Sequence, residues 1–269
     1  MQKRLYIIAG ITGAIGNALL SKLLQDEEVV VYGISRKGLS WEQFVDTQGT
    51  LHTKTFLCSA TDMSTFVSAI NTSAFSSITY VHALGHYPFE VNAAGTYELH
   101  NDEDGDGVDD LTHELTYTKF VEASAALVAL RERTGVRVAC TLFGSLADEH
   151  EPQVHRSWWR TMEKVKEYMR AHARECGMHV VNISSVLCTH ELLSRPFVFT
   201  ATDADPKYWL APHDLAESLC AQFQSPSYFK GFDECAVYNH NPAFKNGYYS
   251  DSAFTKRKVL ELYGTRSAS

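Results

Sequence analysis

The sequence has no Cys-x-x-Cys pair, no surplus of cations and no apolar run of membrane length, and each absence removes a class of protein. Its six cysteines, Cys58, Cys140, Cys176, Cys188, Cys220 and Cys235, are scattered, so their spacing gives neither a zinc site nor a disulfide framework. Several fall within apolar strand patterns and are expected as reduced, buried thiols. A formal charge of -8 argues against nucleic acid, whose recognition is built on clustered cations. A membrane helix needs about 20 consecutive apolar residues, and the amino terminus runs into a strand pattern rather than a signal peptide. A cytoplasmic chain with no membrane partner is therefore expected. What is present, 45% apolar residues over 269 positions, suffices for a sizeable core, and one domain over 1–269 is the expectation.

The chain is organised around Arg4-Leu5-Tyr6-Ile7-Ile8-Ala9-Gly10-Ile11-Thr12-Gly13-Ala14-Ile15-Gly16. An apolar strand (Leu5 to Ala9) breaks into three glycines and then reads as a helix from Ala14 to Leu24, apolar at Ile15, Leu19, Leu20, Leu23 and Leu24. A dinucleotide site needs this order. Gly10 permits the turn, Gly13 lets the backbone approach a pyrophosphate, and Gly16 lets the helix lie close on the sheet; the first helical N–H groups then face the phosphates. A glycine-rich turn without a ligand is the competing reading. A second strand, Val29 to Gly33, leads into Ile34-Ser35-Arg36-Lys37. An NAD site carries an acidic residue there for the ribose hydroxyl, whereas a 2′-phosphate needs cations. Ser35, Arg36 and Lys37 thus favour NADP(H) over NAD(H).

Further along, strands (His52 to Cys58; Ile78 to Ala83; Val136 to Phe143; His179 to Ile183) alternate with helices (from Ser40; Asp62 to Ile70; Leu111 to Arg133; Ser157 to Glu175). Such alternation predicts an α/β fold, a Rossmann-type doubly wound parallel sheet with helices on both faces. Two stretches lack this pattern. The polar insertion 86–110 is longer than usual loops and is expected as a lid at the carboxyl ends of the strands. The loop-rich region 184–211 is expected on the substrate side. A helix entry at Pro212-His213-Asp214, a short strand (Cys235 to Tyr238) and a last helix (Ser252 to Leu262) follow.

This layout resembles the short-chain dehydrogenase/reductase family, in the Gly-x-x-Gly-x-x-Gly form of its extended or atypical branches. The resemblance implies nucleotide contacts at Gly10, Thr12, Gly13, Ala14, Ile15 and Gly16. It likens Asp62 to the family's adenine-contacting Asp and Ala83-Leu84-Gly85 to its Asn-Ala-Gly. Ser184-Ser185-Val186-Leu187-Cys188-Thr189 is similar to the stretch bordering the nicotinamide, which points to Val186 and Thr189. Ser145 stands where the family's catalytic Ser ends the fifth strand. The defining Tyr-x-x-x-Lys is missing: its expected positions hold Trp158 and Met162, neither able to exchange a proton. Lys164, four residues after Arg160, is a candidate retained ribose-binding lysine, and a solvated helix face is the alternative. Tyr87, just past the fourth strand, is the candidate replacement acid, with His86, His82 and Tyr117 behind it.

Asp102-Glu103-Asp104-Gly105-Asp106-Gly107-Val108-Asp109-Asp110 fits the first nine positions of a calcium loop, with Asp102, Asp104, Asp106 and Asp110 as candidate ligands and Gly107 at the turn. The twelfth position is His113 where a Glu is expected. The alternative is a solvated loop whose Asp109 and Asp110 cap the next helix. Small residues Ala123-Ser124-Ala125-Ala126 would permit a homodimer where the resembling family forms its own, or packing on the sheet. Three functions fit: an NADP-dependent reductase of a carbonyl or enone, a nucleotide-binding sensor or partner-binding protein without turnover, and a sugar-nucleotide epimerase or dehydratase. The last also depends on the missing Tyr.

Overall fold

The computed structural model describes residues 2–35, 55–59, 63–86, 99, 101–145, 156–184, 186 and 210–238. Arg36, Lys37, Asp62, Tyr87 and Thr189, and the helices expected from Ser40 and Ser252, lie outside the described residues.

Seven strands form one sheet in the order β3-β2-β1-β4-β5-β6-β7, every neighbouring pair parallel. They are β1 (Lys3–Ala9), β2 (Val29–Ser35), β3 (Thr55–Ser59), β4 (Phe75–His82), β5 (Arg137–Ser145), β6 (Gly177–Ile183) and β7 (Phe232–Val237). Parallel strands buried on both faces read as near-continuous apolar runs, which is how Leu5 to Ala9 is recognisable. Alternation then divides that run. Leu5, Ile7 and Ala9 enter the core under α2 (Met63–Ser68), α4 (Lys119–Thr134) and α5 (Arg156–His172), while Tyr6 and Ile8 pack under α1 (Ala14–Leu23) and α6 (Pro212–Phe223). Helices thus cover both faces, as the doubly wound pattern predicts.

The order reverses between β1, whose successor β2 lies to one side, and β4, which opens the other half. In sheets of this kind ligands sit at such a switch point, outside the carboxyl ends of the strands. Strand boundaries differ modestly from the sequence expectations. β4 begins at Phe75 rather than Ile78, its first residues burying Phe75 and Ser77 around the half-buried Ser76, and β7 begins at Phe232. The helix expected from Leu111 to Arg133 is a composite: α3 (Asp110–Thr112), a π-helical turn (His113–Thr118) and α4. It ends at Gly135, whose φ of 74° provides the left-handed cap.

Candidate functional site

At the switch point the chain leaves β1 through a tight glycine turn. Gly10 has a φ of 83°, and a Cβ there would lie 2.5 Å from the Ala83 carbonyl oxygen, so the β1 and β4 exits touch through a bare backbone. The Gly10 N–H donates to Ile34 O at 3.0 Å, and the Ala83 N–H donates to Ala9 O at 2.9 Å. A Cβ at Gly16 would overlap the Gly10 carbonyl oxygen, so α1 is held tightly against its own turn. Gly13 occupies the N-cap position, no side chain among the described residues caps α1, and its first turn carries no acidic residue. Thr12 and Gly13 are exposed. An uncapped helix start with free N–H groups and a positive dipole end accepts an anion. Ser35 is the last residue of β2, beside Ser59 of β3.

The β4 exit continues through Ala83, Leu84 and Gly85 to His86. His82, fully buried at the end of β4, occupies the centre of a hydrogen-bonded chain. Its Nε2 lies 2.8 Å from Leu115 O and its Nδ1 2.7 Å from the Tyr80 hydroxyl. Because Leu115 O can only accept, Nε2 carries the proton and Tyr80 donates to Nδ1. Burial pushes the His82 pKa down to about 4, the bond to Leu115 opposing this only partly. A neutral structural histidine results, so His82 is no proton donor. Leu115 belongs to the π turn, a rare device concentrated at functional sites. The next residue, Thr116, is fully buried, and its Oγ1 has no partner among the described residues.

Beyond β4 the switch point is flanked by β5 and α5. Ser145 ends β5, half-buried at the carboxyl edge. Trp158 and Met162 stand on the sheet-facing stripe of α5, both buried. A Cβ at Gly85 would lie 3.1 Å from the Trp158 ring, so an indole covers the β4 exit. Lys164 sits on the exposed face, its Nζ 3.4 Å from Asp106 in the acidic loop. The lysine that α5 turns inward is Lys166, one turn beyond Met162. Its side chain is 7% exposed and lies 2.6 Å from Glu234 of β7, which also accepts from Asn182 Nδ2 at 2.8 Å. Val186 makes an isolated parallel bridge with Leu210.

The acidic loop is fastened to α5. Arg160 donates to Gly107 O at 3.2 Å, and Ser157 Oγ accepts from the Asp109 N–H at 2.8 Å. The carboxylates of Asp102, Asp104 and Asp106 offer oxygens within 4.8 Å of one another. Asp102 Oδ2 accepts from the Gly107 N–H at 3.1 Å, while its Oδ1 is buried without a partner among the described residues. Asp110 instead closes the loop by accepting from the Glu103 N–H at 2.9 Å. Asp109 is the N-cap of α3, its Oδ1 2.8 Å from the Thr112 N–H. The sequence pattern identified that cap. It overlooked Lys166, although Trp158, Met162 and Lys166 recur at the four-residue spacing of one helix face. No sequence signal marks the π turn.

No protein-family model and no curated protein matches the sequence. Solved structures do. An oxidoreductase of the short-chain dehydrogenase/reductase family from Burkholderia thailandensis superposes with a TM-score of 0.64 at 18% identity, covering 88% of this chain and 92% of that one. The closed form of a serine dehydrogenase complexed with NADP+ gives 0.64 at 14%, over 90% and 98%. A 4-hydroxyisoleucine dehydrogenase complexed with NADH gives 0.65 at 11%, over 90% and 100%. With its parallel sheet, glycine turn and switch-point crevice, the chain has the fold of the short-chain dehydrogenase/reductase family.

Proposed function

We propose that the chain is a single NAD(P)-binding domain acting as an NADP(H)-dependent oxidoreductase of an atypical short-chain type, reducing a carbonyl or enone of a small molecule. The observation that carries this reading is the glycine turn at the switch point. Gly10 and Gly16 leave no room for a side chain, while Gly13 lies open beside an uncapped helix start. These residues fit a pyrophosphate. Thr12, Ala14 and Ile15 would offer it backbone N–H groups, while Gly13, whose own N–H already donates to Gly10 O at 2.9 Å, would let it approach the bare backbone. Ala83, Leu84, Gly85, Val186 and Thr189 would border the ribose and nicotinamide, Asp62 the adenine, and Ser35, Arg36 and Lys37 the 2′-phosphate. When bound, the cofactor supplies the reducing equivalents.

The chain's own groups then divide the remaining work. Ser145 would donate a hydrogen bond to the substrate oxygen and fix its position. Trp158, whose ring lies beside the exposed Gly85, would narrow the β4 exit, and Tyr87, next to His86 in sequence, would line it. Lys164 is assigned to the acidic loop, where its ammonium already faces Asp106. Calcium in that loop, held by Asp102, Asp104 and Asp106, would order the lid; the buried Asp102 Oδ1, without a partner among the described residues, supports it. Asp110, bonded to Glu103, would contribute by closing the loop. A rise in melting temperature with calcium that Asp102→Asn removes is the expected result. A homodimer through α4, on which Ala125 is exposed, and a reducing cytoplasm, suited to the free Cys140, Cys176, Cys220 and Cys235, complete the proposal.

The test is a fluorescence titration with NADPH and NADH, then a carbonyl and enone panel followed at the nicotinamide absorbance. Preferential NADPH binding that Arg36→Asp abolishes, with oxidation by a panel compound, is the expected outcome. Binding without any turnover would select the second reading, a nucleotide-binding sensor, which the buried Trp158 and Met162 favour. No binding of either nucleotide would overturn both.

A further inference from the structure

The site lacks the Tyr-Lys pair, yet reduction of a carbonyl needs a proton at oxygen. Of the groups at the β4 exit, His82 is locked between Tyr80 and Leu115. The next histidine has a different setting. His86 follows Gly85 just beyond the carboxyl end of β4, and its side chain is 41% exposed. Its Nε2 lies 4.0 Å from Oδ1 of Asp109, a carboxylate whose side chain is only 5% exposed. Asp109 is fixed independently of His86: its Oδ1 accepts from both the N–H and the Oγ1 of Thr112, and its own N–H donates to Ser157 Oγ. The single Thr112 hydroxyl hydrogen lies between Asp109 Oδ1 at 2.9 Å and His86 O at 3.3 Å, the shorter contact being the bond and the longer placing the histidine's backbone at the same helix start. A half-exposed imidazole backed by an immobile buried carboxylate is oriented to exchange a proton on its other edge.

Resting on the oxidoreductase reading, we propose that His86 is the catalytic acid of this site and Asp109 the residue that positions it. The carbonyl carbon of the substrate takes a hydride from the dihydronicotinamide, and the C=O π pair moves to oxygen. That oxygen takes the proton from Nδ1–H of the His86 imidazolium, giving the alcohol and the oxidised nucleotide. Neutral His86 then recovers a proton from water. Nε2 keeps its proton on the side of Asp109, whose carboxylate faces the imidazolium as a charge across 4.0 Å rather than through a hydrogen bond and is not itself protonated.

The experiment has two arms on the full-length protein. In the first, carbethoxylation of His86 by diethyl pyrocarbonate is mapped by mass spectrometry with and without NADP+, alongside NADPH binding by fluorescence. Nucleotide should slow modification of His86. In the second, His86→Gln should lower kcat by about a hundredfold or more, the usual contribution of a general acid, with NADPH affinity unchanged. Imidazole in the buffer should restore turnover to His86→Ala. Asp109→Asn, which keeps the cap on Thr112, should lower kcat by a smaller factor without changing NADPH affinity. Binding of NADPH with His86 unprotected, or full activity in His86→Gln, overturns this proposal alone. No NADPH binding by the unsubstituted protein overturns the oxidoreductase reading and this proposal with it.

Discussion

Two exits from the same sheet edge differ in how far they follow the fold. At the β1 exit each glycine is demanded by geometry: Gly10 by its left-handed backbone and the nearby Ala83 carbonyl, Gly16 by the Gly10 carbonyl. At the β5 and α5 exit the positions that carry proton chemistry in the resembling family hold Trp158 and Met162, buried as core. The inward lysine, Lys166, lies one turn beyond Met162 and is paired with Glu234. A backbone device that binds phosphate cannot change without losing the turn. A side-chain device can differ on the same helix, so one half of the site keeps the expected pattern and the other departs from it.

The sharpest way to break this contrast is at the kept half. Gly16→Ala forces a Cβ into the Gly10 carbonyl and should destabilise the protein by about 2–4 kcal/mol, read by urea denaturation. A cost below about 1 kcal/mol would show that the turn is not closely packed. The next largest effect lies at the β4 exit. The folded His82 pKa is about 4 against an ordinary 6.5, so the unfolded chain binds the proton first. The stabilisation is complete above pH 6.5 and is lost as pH falls toward 4, amounting to about 3 kcal/mol. Denaturation at stepped pH should show that slope, and His82→Gln should flatten it.

On α5 two lysines only two residues apart separate buried from surface electrostatics. Lys166→Met strands Glu234, whose carboxyl the lysine, Asn182 and Arg170 together hold below its usual range against the effect of burial. A full buried pair costs about 3–5 kcal/mol to break; with Glu234 30% exposed and Arg170 still 3.9 Å away, a loss of about 2 kcal/mol is expected. Lys164→Met removes an ion pair exposed at 46% and 42%, worth about 0.5 kcal/mol or less. Equal effects in the two variants would erase the distinction drawn between them.

The kept half was also the legible half. Strand, three glycines and helix are local in sequence, so the β1 turn, the parallel sheet and the helices on both faces could be read from spacing and apolar runs. Ser145 was placed at the end of its strand for the same reason. The other half depends on contacts between distant segments. Nothing within 113–118 announces a π turn, because what stabilises it includes His82, far away in the chain, bonding to Leu115. Lys166 could have been found by counting from Trp158 and Met162, but its partner sits on β7. Asp109 was legible as a helix cap, whereas its proximity to His86 required the fold.

The central claim is that α1 and its glycine turn hold a dinucleotide phosphate. Gly13 tests it most directly, because its backbone (φ -76°, ψ 167°) suits any residue and a Cβ would meet only the Gly10 carbonyl oxygen, at 3.2 Å. Gly13→Val should therefore fold with a stability loss of about 1 kcal/mol or less. The measurement is NADPH affinity by fluorescence titration of the unsubstituted protein and Gly13→Val at matched stability. The account predicts binding by the first and a loss of tenfold or more, at least about 1.4 kcal/mol, in the second. Equal affinity in the two would contradict it.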